Sequence, residues 1–167
     1  TAGARLLGAT TIIAVDGNDH RRGIAQKMGA DVTLNFKNCD VIDEIMKITG
    51  GRGADSAIEA LGTQATFESA LRSIKPGGTL SSLGVYSEDL KIPLSAFAAG
   101  LGDHKINTAL CPGGKERMRR LMNVLASNRL DLGLLVTHQY KLDDIVAAYD
   151  LFAHQRDGVL KVAIKPQ

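Results

Sequence analysis

Tryptophan is absent from this 167-residue sequence, and phenylalanine and tyrosine bring the aromatics to only 4%. That scarcity argues against the stacking platforms on which proteins seat single-stranded nucleic acid. A marked excess of one charge is also lacking: 20 basic against 18 acidic side chains leave +2, without the basic surplus that a nucleic-acid binder needs. No apolar run approaches the ~20 residues that span a bilayer, and no signal peptide is visible. Only two cysteines occur, Cys39 and Cys111. They lie far apart without CxxC spacing, which speaks against a zinc site or a disulfide framework and makes a reducing cytoplasm the simplest compartment. Internal repeats and low-complexity tracts are missing. What remains, 44% hydrophobic and 23% charged residues, is an ordinary globular composition in a chain long enough for a real core.

The most informative stretch is Thr10-Thr11-Ile12-Ile13-Ala14-Val15-Asp16, a β-branched apolar run that ends on a carboxylate. A continuous run of this kind suits a strand buried on both faces, as in a parallel sheet. An acid at its C-terminal end points into the crevice where doubly wound sheets bind ligands. In dinucleotide-binding folds such a carboxylate accepts hydrogen bonds from the adenosine ribose. The plainer alternative is a solvated aspartate opening a turn with Gly17 and Asn18.

Taken in order, TAGARLLG (1–8) reads as the last turns of a helix. A helix follows over 19–28 with Ile24, Ala25 and Met28 inward, then a second strand at 31–36. Val41, Ile42, Ile45, Met46 and Ile48 have helical spacing. ADSAIEAL (54–61) is the third strand, and Gly62-Thr63 opens a helix bearing Phe67, Ala70, Leu71 and Ile74. Lys75-Pro76-Gly77-Gly78 is a turn that neither a helix nor a central strand tolerates. A fourth strand spans 79–85, a mixed stretch 86–103, and a fifth strand 105–111. Met118, Leu121, Met122 and Leu125 form the apolar stripe of a helix whose basic face is a solvated one. Strand 134–138, a helix with Ile145, Val146, Tyr149 and Phe152, and strand 159–164 close the chain. Strands alternating with helices of 10–15 residues give an α/β fold with a mainly parallel sheet, connected by right-handed crossovers.

The glycine fingerprint GxGxxG that normally cradles a pyrophosphate is absent; Gly51-Arg52-Gly53 lacks the third glycine and follows no strand. Even so, IIAVDGNDHRRGIAQKMGAD, GRGADSAIEALG, IKPGGTLSSLGV, ALCPGG and VTHQYKLDDIVAAYDLF together resemble the medium-chain dehydrogenase/reductase superfamily. Within it they look most like the zinc-dependent secondary alcohol dehydrogenases. The likeness covers essentially the whole chain, and its strength lies in the order and spacing of the motifs.

The resemblance implies NAD as cofactor and a role for each matching residue. Asp16 would bind the adenosine ribose hydroxyls and Arg21 would sit beside the same ribose. Ala60 and Leu61 would line the adenine side, while Leu83, Gly84 and Val85 would face the nicotinamide. Backbone groups of Ala109, Leu110 and Cys111 would meet the carboxamide, and Lys161 would approach the pyrophosphate. Core packing is the competing explanation for Ala60, Leu61, Leu83 and Val85, close packing for Gly84, and simple solvation for Lys161. The resemblance further implies residues 1–133 as the NAD-binding domain and 134–167 as a segment belonging to the catalytic domain. It implies an alcohol or ketone substrate and a homo-oligomeric parent.

The zinc of that family is held by an N-terminal domain that has no counterpart here. Cys39, Cys111, His104, His138 and His154 show no ligand spacing that would replace it. The chain therefore reads as a fragment of an enzyme, with zinc ligands outside it and no catalytic residue of its own. The resemblance implies a Rossmann-like doubly wound parallel sheet, whose strand order is 3-2-1-4-5-6, with the strands here as numbers 2 to 6. The expectation is a sheet divided at the missing central strand, completed by an N-terminal piece, by direct pairing of 10–16 with 54–61, or by a second chain. A zinc-free reductase of the same superfamily, a Rossmann-like methyltransferase and a non-catalytic nucleotide-binding module are the alternatives.

Overall fold

A computed structural model of the chain describes residues 1–97 and 102–166; part of the mixed stretch 86–103 thus lies outside the described residues. The elements in order are α1 Ala2–Leu6, β1 Ile13–Val15, α2 Asp19–Lys27, β2 Val32–Leu34, α3 Val41–Ile48, β3 Ala54–Glu59, α4 Gln64–Ser73 and β4 Ile74–Ser82. They continue with β5 Lys105–Thr108, α5 Lys115–Ala126, β6 Val136–Lys141, α6 Ile145–Ala153 and β7 Lys161–Lys165. Every strand pairing among them is parallel, as the alternation of strands and helices requires. The architecture is the α/β, Rossmann-like one expected. The chain folds as two compact units, one of Thr1–Lys37 with Met118–Gln167 and the other of Asn38–Arg117.

In the first unit β1 pairs with β2, and β6 with β7. β1 is shorter than the apolar run suggested. Ile12 is buried, yet its N–H donates to the Asp31 carboxylate at 2.7 Å and its carbonyl accepts from the Asp31 and Val32 amides. A side chain and a turn thus satisfy the backbone there, and the strand begins one residue later. α2 is capped by the Asn18 side chain, which accepts from the Arg21 amide, and it turns Ile24 inward. The expected strand 134–138 begins later than read: Gly133–Leu135 is a 3-10 turn, because the Asp131 carboxylate accepts from the Gly133 amide. α6 buries only Ala148, leaving Val146, Tyr149 and Phe152 exposed.

The second unit is a three-stranded sheet in the order β3-β4-β5. Its core is Phe67, Leu71, Ile74, Leu80 and Ala96, with Ala57, Ala70, Tyr86, Leu90 and Ile106 packed around it. Phe67 and Tyr86 meet edge to face, 6.2 Å between centroids. α3 starts at Asp40, whose carboxylate accepts from the Ile42 and Asp43 amides. α4 starts at Thr63 with a reciprocal capping box to Thr66.

The Lys75–Gly78 turn is corrected in its place. β4 begins before it, at Ile74, and the pairing steps from Ala54↔Ile74 to Ser56↔Thr79. Between these pairs Asp55 alone on β3 faces four residues, Lys75 to Gly78, on β4, so the turn residues are looped out of a continuing strand rather than ending one. Gly77 has φ +74° and its amide donates to the Gly102 carbonyl, which supplies the backbone partner the loop would otherwise lack.

Among the described residues β1 pairs only with β2, and β3 only with β4. The neighbours within each sheet are those of the expected strand order, and 10–16 does not pair directly with 54–61. α5 buries none of its residues; Met118, Leu121 and Met122 of its apolar stripe are exposed.

Candidate functional site

Asp16 follows the last residue of β1, and its amide continues the ladder by donating to the Leu34 carbonyl. The carboxylate is held in place at one oxygen, where Oδ1 accepts from the Asn18 amide at 2.8 Å. Oδ2 has only a loose ion pair with Arg21 at 3.9 Å, and both side chains are about one-third exposed. One oxygen of a positioned carboxylate is therefore left to accept hydroxyl donors, which is the chemistry a ribose requires. Arg22 is not available to a ligand in the same way: it donates to the Asp16 carbonyl at 2.8 Å and pairs with Asp19. Lys161 sits exposed at the start of β7.

Sequence reasoning missed the neighbours of this acid. Phe36, two residues past β2 and half-exposed, lies against Gly17, where an added Cβ would stand 2.7 Å from the ring and 2.9 Å from the Lys37 side chain. The available signal was an aromatic at the C-terminal end of the second strand, the same sheet edge that carries Asp16.

In the second unit the other candidates share one edge for a geometric reason. Glu59 pairs with Ser82, and Ser82 with Thr108. Ala60-Leu61, Leu83-Gly84-Val85 and Ala109-Leu110-Cys111 are thus the segments that leave three parallel neighbours at one rung. The ladder runs one step further, with Leu83 donating to the Glu59 carbonyl and Ala109 to the Ser82 carbonyl. Leu61, Val85 and Leu110 are 68%, 75% and 79% exposed. Leu83 is exposed as well, so core packing does not account for these side chains. Close packing does account for Gly84: an added Cβ would stand 2.5 Å from the Glu59 carboxylate and press into the Gly62 backbone.

The group that knits this edge was not singled out from the sequence. Glu59 is 3% exposed. Its Oε1 accepts from the Leu61 amide at 2.7 Å, the Gly62 amide at 2.8 Å and the Thr66 hydroxyl at 2.9 Å. Its Oε2 accepts from the Tyr86 hydroxyl at 2.6 Å and the Ser82 hydroxyl at 3.2 Å. Burial pushes this carboxyl up, but the bonds from Tyr86, Gly62, Leu61 and Thr66 outweigh it and hold the carboxyl at about 2. Burial, and then the bond to Glu59, push the Tyr86 hydroxyl above its ordinary value. A lone acid on a strand's last residue, with a glycine and a threonine just after it, was the only local hint.

Among the described residues no group of three or more His, Cys, Asp or Glu side chains is placed to hold a metal ion. His138 pairs with Asp157 and His154 with Asp150. These histidines, each paired with a single aspartate, do not form a zinc centre.

Residues 1–127 match a family model described as zinc-binding dehydrogenase. An alcohol dehydrogenase of Cupriavidus necator is 83% identical over 166 residues, covering 99% of this chain and 45% of the relative. An NADP-dependent isopropanol dehydrogenase of Clostridium beijerinckii is 36% identical, covering 98% of this chain and 47% of the relative. Among solved structures, an alcohol dehydrogenase from Thermus sp. ATN1 superposes with a TM-score of 0.86 at 28% identity, over 98% of this chain and 46% of that one. The chain spans about half the length of the curated relatives it matches.

Proposed function

Since this chain belongs to the zinc-binding dehydrogenase family, we propose that it forms the cofactor-binding part of an NAD-dependent alcohol dehydrogenase that exchanges hydride with an alcohol or ketone. The observation that carries the cofactor assignment is the Asp16 carboxylate, fixed by Asn18 and left with an open acceptor oxygen at the end of β1. When bound, the nicotinamide accepts or returns the hydride. The chain's own residues bind and orient: Asp16 takes the ribose hydroxyls with Arg21 beside it, and Lys161 approaches the pyrophosphate. Ala60 and Leu61 cover the adenine side, and Leu83, Gly84 and Val85 present an apolar surface to the nicotinamide. The backbone at Ala109, Leu110 and Cys111 meets its carboxamide. Residues 134–167 form the segment that belongs to the catalytic domain, and the zinc ligands lie outside this chain. The parent protein is read as a cytoplasmic homo-oligomer.

An NADP preference, as in the name of the Clostridium beijerinckii relative, is the competing reading, and Arg21 is the observation that favours it. Arg22 adds little to that case because its guanidinium is already engaged by the Asp16 carbonyl and Asp19. A carboxylate that accepts two ribose hydroxyls gains about 1.5–3 kcal/mol from each charge-assisted bond and repels a 2′-phosphate. In the intact protein, Asp16→Gly is expected to lower the ratio of kcat/KM with NAD to that with NADP by about tenfold or more. An unchanged ratio overturns the assignment.

A further inference from the structure

We propose that Glu59 is a positioning residue for the nicotinamide half of the cofactor site, acting through Tyr86, and that it binds no ligand itself. The inference rests on the cofactor reading given above and adds to it the group that sets the shape of the edge. A buried carboxylate normally has a cation beside it. Among the described residues every hydrogen bond to Glu59 comes from a neutral donor, and those donors fall into two sets by oxygen. Oε1 holds the turn that follows β3, through the Leu61 and Gly62 amides and Thr66. Oε2 holds the segment that follows β4, through Tyr86 and Ser82.

The two turns touch with no room between them. A Cβ on Gly62 would stand 2.7 Å from the Val85 nitrogen, and one on Gly84 would press into the Gly62 backbone. One carboxylate therefore fixes the spacing between Leu61 on the adenine side and Leu83-Gly84-Val85 on the nicotinamide side. It also keeps Leu61 and Val85 facing outward, although both are apolar. A residue that served the core alone would not need a separate oxygen for each of two exposed segments.

The design predicts that the two oxygens are separable. Tyr86→Phe removes one donor to Oε2 and leaves the Oε1 set untouched. In the intact protein it is expected to raise the Kd for NADH about fivefold. The Kd for ADP-ribose, which lacks the nicotinamide, stays within about twofold of wild type. Glu59→Ala releases both turns and weakens NADH by about tenfold or more. Glu59→Gln restores binding, since its amide oxygen accepts from the Oε1 donors while the Tyr86 and Ser82 hydroxyls rotate to accept from its NH2. Isothermal titration with NADH and with ADP-ribose, alongside the fluorescence of bound NADH, reads all three variants. NADH binding unchanged in Tyr86→Phe, or ADP-ribose weakened there as much as NADH, overturns the proposal, and this variant decides even where Glu59→Ala fails to fold. A wild-type protein that binds neither NADH, NADPH nor ADP-ribose overturns the cofactor reading itself.

Discussion

Glu59 should make the protein's stability fall with acid in a way that a single amide substitution abolishes. Its carboxyl lies at about 2 in the folded state against an ordinary 4.5. Each unit of such a difference is worth about 1.4 kcal/mol, so the whole separation amounts to about 3 kcal/mol. The folded-state value is depressed, so the contribution is complete above 4.5, the unfolded state's value, and is lost as the pH falls toward 2. Between pH 5 and pH 3, where the unfolded chain takes up its proton and the folded one resists, about 2 kcal/mol should disappear. Glu59 is 3% exposed, so solvent screening discounts little of this. Glu59→Gln has no proton to take up at that position. The stability difference between wild type and Glu59→Gln, followed by urea unfolding of the intact protein across this range, should shift against the wild type by about 2 kcal/mol. Asp31 and Asp55 are also held low, chiefly by hydrogen bonds from Arg5 and Lys75 respectively, but they are present in both proteins and cancel in the comparison. Parallel pH profiles for the two proteins would refute the reasoning, because five donors on a charged carboxylate could not then be stabilising it.

Gly62→Ala is expected to lose about 1–3 kcal/mol in chemical denaturation, since φ is +93° there and the new Cβ would meet Val85 backbone rather than a side chain able to move; unchanged stability would mean that the two turns are not in contact. Leu71→Ala, at a fully buried position in the core of the second unit, should cost about 2–5 kcal/mol in the same assay. Residues 1–167 purified alone are expected to show no dehydrogenase activity and no stoichiometric zinc. Metal analysis finding about one zinc per chain, removable only by a chelator, would contradict that.

Much of the fold was legible because the signals are local. The apolar run at 10–16 marks a strand, although Ile13 and Ala14 are only half-buried and Val15 is exposed, and Thr63 announces a helix start through a side chain that reaches the amide three residues on. Strand ends were less legible, since they depend on partners distant in the sequence. β5 stops at Thr108 because its neighbour β4 stops at Ser82, and no property of residues 109–111 reports that. At Lys75–Gly78 the sequence marked a break that no central strand tolerates, but it could not show that β4, the central strand of its sheet, runs from Ile74 to Ser82 and pairs on both sides of these residues. Periodicity revealed the apolar stripes of α5 and α6 without revealing that Met118, Leu121, Val146 and Tyr149 remain exposed.

The site divides along the same line. Asp16 stood out because a carboxylate ends an apolar strand, and the partner that fixes it, Asn18, is two residues away, the contact that a turn-opening aspartate also makes. The edge of the second unit has no such residue. Leu61, Val85 and Leu110 are ordinary strand-end residues one at a time, and they become a surface only because Glu59, Ser82 and Thr108 lie side by side on one rung. Glu59 was the least legible of all. Two of its five donors, Ser82 and Tyr86, are 23 and 27 residues away, and the parallel crossover through α4 is what brings them to it. An acid read from sequence looks exposed by default, and only the donors that the fold assembles around this one permit it to be buried and charged.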